Sequence, residues 1–267
     1  MSSVHKKYFF LEVPMSTNIK TIEDLSLNAW PSHQIEVYDG WLLRFSYFYT
    51  HRTNSVEQIG PSTIPLDTKI TYCEERYRKW GTPSIFKVTP LVASTFDSQL
   101  ATRGYTIEHT TEVMTLDLHN YTPSIQKPQV HLEKFISSAW IEGLFSLKKT
   151  TNITHRKIVP SMYQAIPKDT IAASIRENGE IIATGLGIMD RSYIGLYAIH
   201  VHPAYRGRHL GKSICQAILT EGINQNAQNA YLQVVKSNTP AQNLYHSLGF
   251  QPFYTYWFRT HPLLPSS

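Results

Sequence analysis

Residues 201–212 read VHPAYRGRHLGK, and the fold is decided by how this stretch is read. Just upstream, residues 193–201 (YIGLYAIHV) form a β-branched and aromatic run that stops before Pro203, which cannot donate a ladder hydrogen bond. Downstream, Leu210, Ile214, Ala217 and Ile218 recur at helical spacing and predict an amphipathic helix over 207–222. A strand that turns through small residues into a helix start aims several backbone N–H groups into one concavity, where the helix dipole adds positive potential. Arg206, Arg208 and Lys212 add full charges to the same rim, so the concavity suits a diphosphate. The stretch is no Walker loop, because it lacks GxxxxGK[ST]. Nor is it a dinucleotide fingerprint, because the meander before it is not a βαβ unit.

Working outward, residues 170–176 and 180–187 are β-rich runs joined through Asn178-Gly179, a dipeptide that accepts the positive φ angles of a tight turn. With 193–201 they predict a three-strand antiparallel meander. Residues 230–235 predict a further strand. Thr239-Pro240 opens a helix, with Thr as N-cap and Pro in its first turn, that ends at Gly249, and 253–259 predict a closing strand. Ahead of the meander, 130–133 predict a strand, and 134–147 and 154–165 predict helices. The first half repeats this order more weakly. It reads as a helix at 20–29, strands at 35–38, 41–47 and 52–56, a helix at 66–80, a strand at 84–88, a helix at 91–102 and a strand at 105–118. LATRGY (100–105) echoes YHSLGF (245–250), which points to an internal duplication. The stretch 120–129, NYTPSIQKPQ, has linker composition, and the N-terminal 15 residues read as an edge strand or arm.

Composition sets the outer bounds. The chain has 267 residues, 42% hydrophobic and 17% charged, enough apolar material for a core and too little charge for a disordered chain. No run of about 18 apolar residues exists, so no membrane-spanning helix is expected. Cys73 and Cys215 share no metal-ligand or CxxC spacing, and a reducing, cytoplasmic setting is expected. The net charge of +5 is unevenly placed: residues 1–127 hold 12 Lys+Arg against 13 Asp+Glu, and residues 128–267 hold 13 against 7. The basic excess is scattered or paired rather than striped, which disfavours a nucleic-acid surface and favours a compact polyanion.

VHPAYRGRHLGK together with NTPAQNLYHSLGF at 238–250 resembles the acetyl-CoA-binding core of the GNAT superfamily of N-acetyltransferases. YDGWLLRFS (38–46) and HRTNSV (51–56) resemble the N-terminal half of bacterial two-part members. The resemblance implies an α+β fold with a mixed, mostly antiparallel sheet flanked by helices. It implies two tandem GNAT-like domains: a degenerate one at 1–120, a linker at 121–129, and an acetyl-CoA-binding catalytic domain at 130–267. The implied reaction is direct transfer of an acetyl group from acetyl-CoA to a primary amine of a small molecule or peptide. For that reaction no metal, nucleic acid or membrane is expected, and the chain is expected as a monomer or homodimer.

The family's pyrophosphate loop falls on Arg206, Gly207, Arg208, His209, Leu210 and Gly211, with Lys212 following. His209 stands where the family has its first glycine. Histidine enters left-handed backbone more readily than most residues but brings a side chain to the place where a phosphate approaches. Ile199, His200 and Val201 are expected to pair with the pantetheine arm as with an added strand. Asn238, Ala241 and Leu244 are expected to line the cofactor, and Tyr245 to sit beside the thioester sulfur and protonate the departing thiolate. Residues 193–201 hold no Asp or Glu, so the general base is left to His200, Tyr197 or a water chain. His200 and His202 are read as packed or solvated rather than as metal ligands. In the first half, GPSTIPLDTK stands where a phosphate loop would be needed, so this half is expected to wall the acceptor cleft with Trp41, Arg44, Arg52 and Asn54. A non-catalytic acyl-CoA-binding or sensing module is the competing reading.

Overall fold

The computed structural model describes residues 15–122 and 128–261. In chain order the first half contains α1 (Met15–Ala29), β1 (Gln34–Tyr38), β2 (Trp41–Phe45), a 3-10 turn (His51–Thr53), β3 (Val56–Gln58), α2 (Leu66–Lys79), β4 (Ser84–Val88), α3 (Ser94–Thr102) and β5 (Thr106–Asp117). The second contains β6 (His131–Glu133), α4 (Ser138–Lys148), α5 (Ile153–Gln164), β7 (Asp169–Glu177), β8 (Glu180–Asp190), β9 (Tyr193–Val201), a 3-10 turn (Pro203–Tyr205), α6 (Leu210–Asn224), β10 (Asn229–Val235), α7 (Thr239–His246) and β11 (Gln251–His261).

All eleven strands form one mixed sheet, in the order β1-β2-β3-β4-β11-β5-β10-β9-β8-β7-β6. Only β3 with β4 and β10 with β9 run parallel. The order is not sequential at its centre: β11, last in the chain, lies between β4 and β5, and β5 lies between β11 and β10. Alternation along the strands divides the apolar residues between the two faces. Ile85, Val113, Tyr197 and Tyr231 belong to a core that takes in α1, α4 and α5. Their neighbours Met114, Leu196 and Leu232 belong to a core under α6 and α7, and Phe86 to one under α2 and α3. Within the first face Lys87, only 4% exposed, is ringed by Glu23 at 2.5 Å and Glu57 at 3.6 Å, and Glu57 also takes Arg44 at 2.9 Å.

The expected strand at 52–56 is a correction: the chain makes the 3-10 turn there, and β3 begins only at Val56. Strand β2 likewise stops at Phe45 rather than at residue 47, because Tyr47 and Phe48 take left-handed φ values of 49° and 57°. The Asn54 side-chain oxygen holds this turn, accepting the N–H of Ser46 at 2.7 Å and of Phe48 at 3.0 Å. The helix expected over 134–147 starts at Ser138, where Ser137 accepts the Trp140 N–H as an N-cap. Cys73 and Cys215 are buried and unpaired. The expected N-terminal arm (1–14) and linker residues 123–127 lie outside the described residues. Among the described residues no helix is long and apolar enough to cross a membrane.

Candidate active site

The site is built where two parallel strands part. β9 pairs with β10 only from Tyr193↔Asn229 to Leu196↔Leu232. Beyond that point β9 stays with β8 as far as Val201↔Ala183, and β10 stays with β5 as far as Val235↔Thr111. The facing edges of residues 197–201 and 233–235 are therefore left without a ladder partner. A bulge helps to drive them apart: Ala198 has φ 49°, and the β8–β9 register shifts between Thr184 and Leu186. Ile199, His200 and Val201, expected along a cofactor arm, all lie on this free stretch of β9.

At the mouth of the opening stands the N-terminus of α6. Its N-cap residue is His209, at φ 58° and ψ 14°, and no side chain caps the helix. By helix geometry the N–H groups of Leu210, Gly211 and Lys212 have no intrahelical acceptor. Gly207 has φ 75° with nothing within 4 Å of the position a Cβ would take, so glycine is needed there for its backbone and leaves open space in front. Arg206, Arg208 and His209 are exposed. Arg208 leans over Tyr205, 5.2 Å from the ring centroid, and toward Glu177 at 3.9 Å. Gly211 brings α6 close to α7, where an added Cβ would meet Leu244 at 3.2 Å and Val201 at 3.7 Å. Arg206 through Lys212 thus surround one uncapped, positively charged helix end.

Beside the start of α6, Tyr245 is buried at 9% exposure on α7, in the core under α6 and α7 with its ring 6.2 Å from Phe250. Among the described residues its hydroxyl has no hydrogen-bond partner. Burial pushes its acidity well below that of free tyrosine, so the phenol keeps its proton. Asn238 is the N-cap of α7, its side-chain oxygen accepting the Ala241 N–H at 3.2 Å, and Ala241 and Leu244 are half-buried on the same helix.

The opposite side of the opening faces α1 and α4. The Tyr197 hydroxyl lies 2.6 Å from the Tyr231 hydroxyl, and Trp30 meets the Tyr197 ring edge-on at 6.2 Å. Burial pushes the Tyr197 pKa upward, which leaves this phenol protonated and poorly suited to take a proton. His200 is half-buried. Burial first, then the charges of Lys148 and Arg206, lower its pKa to about 4, so its imidazole is neutral at pH 7. Gln233 ties the two halves together: its side-chain oxygen accepts from Arg52 Nε at 2.9 Å and from the Tyr256 hydroxyl at 3.0 Å, and its amide donates to Ser26 at 2.8 Å.

Of the four first-half residues expected at an acceptor wall, only Arg52 reaches this face. Trp41 is 2% exposed and packs under Lys69, 4.1 Å from its ring centroid. Arg44 is buried against Glu57, Ser32 and the carbonyls of Trp30 and Arg52. Asn54 holds the turn after β2. The polar groups of Arg44 and Asn54 are already used inside the protein. Two residues missed in the sequence, Trp30 and Gln233, stand on the face instead, backed by the fully buried Tyr256, whose hydroxyl donates to Gln233. Their strand or helix phase was legible, but which strands lie side by side was not.

A family model described as "Probable histone acetyltransferase Rv0428c C-terminal" matches residues 16–258 of the chain. The chain is 24% identical over 245 residues to "Uncharacterized N-acetyltransferase YobR" of Bacillus subtilis (strain 168), covering 91% of this chain and 98% of that protein. A GCN5-related N-acetyltransferase from Kribbella flavida shares the fold with a TM-score of 0.70 at 14% identity, over 93% of this chain and 96% of that one. A tandem GNAT protein from the clavulanic acid biosynthesis pathway, without AcCoA, shares it with a TM-score of 0.62 at 15% identity, over 80% and 76% of the two chains. The parted strands, the uncapped helix end beside them and a match along nearly the whole chain agree: this protein belongs to the family of that model, as an acetyltransferase of GNAT type.

Proposed function

We propose that the protein transfers the acetyl group of acetyl-CoA directly to a primary amine. The observation that carries this reading is the divergence of β9 and β10 beside the uncapped N-terminus of α6. Residues 206–212 offer N–H groups and cations to the diphosphate, and the free edge at 199–201 offers strand-like hydrogen bonds to the pantetheine arm. The thioester carbonyl would then lie near unpaired N–H groups of β9, which can hold the oxyanion.

In this reading the amine nitrogen bonds to the acetyl carbon, and the C–S bond breaks as the oxyanion collapses. The leaving thiolate takes the proton of Tyr245. The amine must arrive neutral, and the positive charges of Lys148 and Arg206 that depress His200 disfavour an ammonium in the same way. His200 takes the nitrogen's proton after attack, when that nitrogen has become acidic. Residues 130–267 serve as the acetyl-CoA half and 121–129 as a linker. Residues 1–120 serve as a degenerate GNAT-like half that closes the acceptor side through Trp30 and Arg52.

Incubating the protein with acetyl-CoA and a panel of amines, with free CoA thiol as the readout, tests this. Amine-dependent thiol release is expected. Acetyl-CoA binding with no release for any amine would favour the sensing module, and no binding even at millimolar acetyl-CoA would remove both readings.

A further inference from the structure

Beyond the opening between β9 and β10, metal-ligand side chains from two distant segments meet near the start of β5. His51 opens the 3-10 turn, and Glu108 and His109 are consecutive residues of β5. Consecutive side chains of a regular strand point to opposite faces, so these two should diverge. They do not, because His109 takes φ 50° and the β5–β11 register shifts between Tyr256 and Phe258. His51 Nε2 lies 2.9 Å from a Glu108 carboxylate oxygen, and the His51 and His109 rings cross at 84° with centroids 4.5 Å apart. One donor atom from each of the three lies within 4.8 Å of the others. Around an ion bound at about 2.0–2.2 Å, neighbouring donors stand roughly 3–3.5 Å apart, so a small contraction would complete the set.

Two further features fit a ligand. The left-handed backbone at His109 carries a steric cost, and among the described residues its ring nitrogens have no hydrogen-bond partner to offset it. The carboxylate of Glu108 accepts from the Thr260 hydroxyl at 3.1 Å, an outer contact of the kind that orients a ligating carboxylate. Phe258, 5.3 Å from the His51 ring, backs the cluster with apolar surface.

We propose that His51, Glu108 and His109 bind one divalent transition-metal ion of the zinc class, two imidazoles and one carboxylate leaving the remaining position to water. The ion pins the turn at His51 to β5 and so steadies Arg52, the next residue, against Gln233 and Tyr256. The site is separate from the acetyl-transfer residues, and its test does not depend on acetyl transfer.

Full-length, tag-free protein is stripped with a chelator and dialysed against zinc, and bound zinc is measured by elemental analysis alongside the thermal midpoint. One zinc per chain is expected, with a dissociation constant below about 10 µM and a midpoint that rises with zinc. His109→Asn keeps a residue tolerant of left-handed backbone and removes a strong ligand. It should weaken zinc binding at least about tenfold while leaving the zinc-free midpoint unchanged, and Glu108→Gln should weaken it likewise. The absence of a stoichiometric zinc, or a His109→Asn variant that binds zinc as the parent does, overturns the proposal.

Discussion

Asp39 accepts the backbone N–H of Ile64 at 2.9 Å. It also takes the N–H and hydroxyl of Thr63, and Lys69 reaches it at 3.3 Å. This places a carboxylate of the chain itself against the turn that leads into α2. Helix α2 connects the parallel strands β3 and β4 as α6 connects β9 and β10. The N-terminus of α6 is open; the turn before α2 is already filled by an internal anion.

The N–H groups of Ile64 and Thr63, in that order, hold the Asp39 carboxyl well below the usual carboxylate range. A depressed carboxylate contributes stability that is present above its unfolded pKa of about 3.9 and is lost as pH falls through the folded value. Asp39→Ala should therefore lower the thermal midpoint by an amount that is constant from pH 5 upward and shrinks in stronger acid. Equal midpoints for parent and variant at pH 7 would show that the turn does not depend on this carboxylate.

The exchange of β5 and β11 between the two halves leads to a second expectation. β5 pairs with β10 from Asn229↔Asp117 to Val235↔Thr111 and with β11 on its other edge. A fragment of residues 130–267 would lose β4 and β5, leaving β11 bare on both edges and β10 on one, with the apolar faces beneath them exposed. It should show no cooperative unfolding transition in urea. A fragment that melts cooperatively and binds CoA would mean that the halves fold independently.

That exchange also marks the limit of what sequence could reveal. The elements around α6 were legible because local signals agree there: hydrophobic period, Asn178-Gly179, and Thr239-Pro240 at the start of α7, although the cap is Asn238 and not Thr239 as expected. His209 was legible only through the resemblance, standing where the family has a glycine, and it takes φ 58°. Arg44 was misplaced because an arginine in an aromatic strand looks the same whether it faces a ligand or Glu57. The neighbours of β5 are set by contacts more than a hundred residues apart in the chain, and no local pattern encodes them. Glu108 and His109 were overlooked for the same reason, since their convergence needs a bulge that period-2 alternation does not announce.

Tyr245 should separate catalysis from binding. Its buried phenol keeps its proton across the assay range, so it is available as an acid and contributes no titration of its own. Tyr245→Phe keeps the ring packing against Phe250 and removes only the hydroxyl. The variant should lose about 10²-fold or more in kcat, with KM for acetyl-CoA changed less than kcat and the shape of the pH profile preserved. An unchanged kcat would remove Tyr245 as the proton donor.

His200 gives a stability signature of opposite origin to that of Asp39. Its pKa is lowered to about 4 by burial, then by Lys148 and Arg206, against about 6.5 in the unfolded chain. Above pH 6.5 both states hold a neutral imidazole and the residue costs nothing. Between pH 6.5 and 4 the unfolded chain takes up a proton that the folded one refuses, so stability falls with pH by a total on the order of 2–3 kcal/mol. In His200→Gln the urea midpoint should fall less between pH 7 and pH 4 than in the parent. Parallel midpoint curves for the two proteins would show that the imidazole titrates normally in the folded state.

His209 tests whether the helix end is shaped for an anion. With φ 58° and ψ 14° the residue sits in backbone that glycine adopts freely, histidine tolerates and β-branched residues resist. His209→Gly removes both the strain and the exposed ring without altering the turn, so the CoA dissociation constant should fall or stay level. His209→Val cannot take this backbone without a large cost. It should tilt the N–H groups of Leu210 and Gly211 away from the mouth and weaken CoA binding at least about tenfold, since each 1.4 kcal/mol of lost contact is a factor of ten. Calorimetric titration of the two variants with CoA decides the matter: if His209→Val binds as tightly as His209→Gly, the diphosphate does not rest on this turn, and the roles given to Arg206 and Lys212 fall with it.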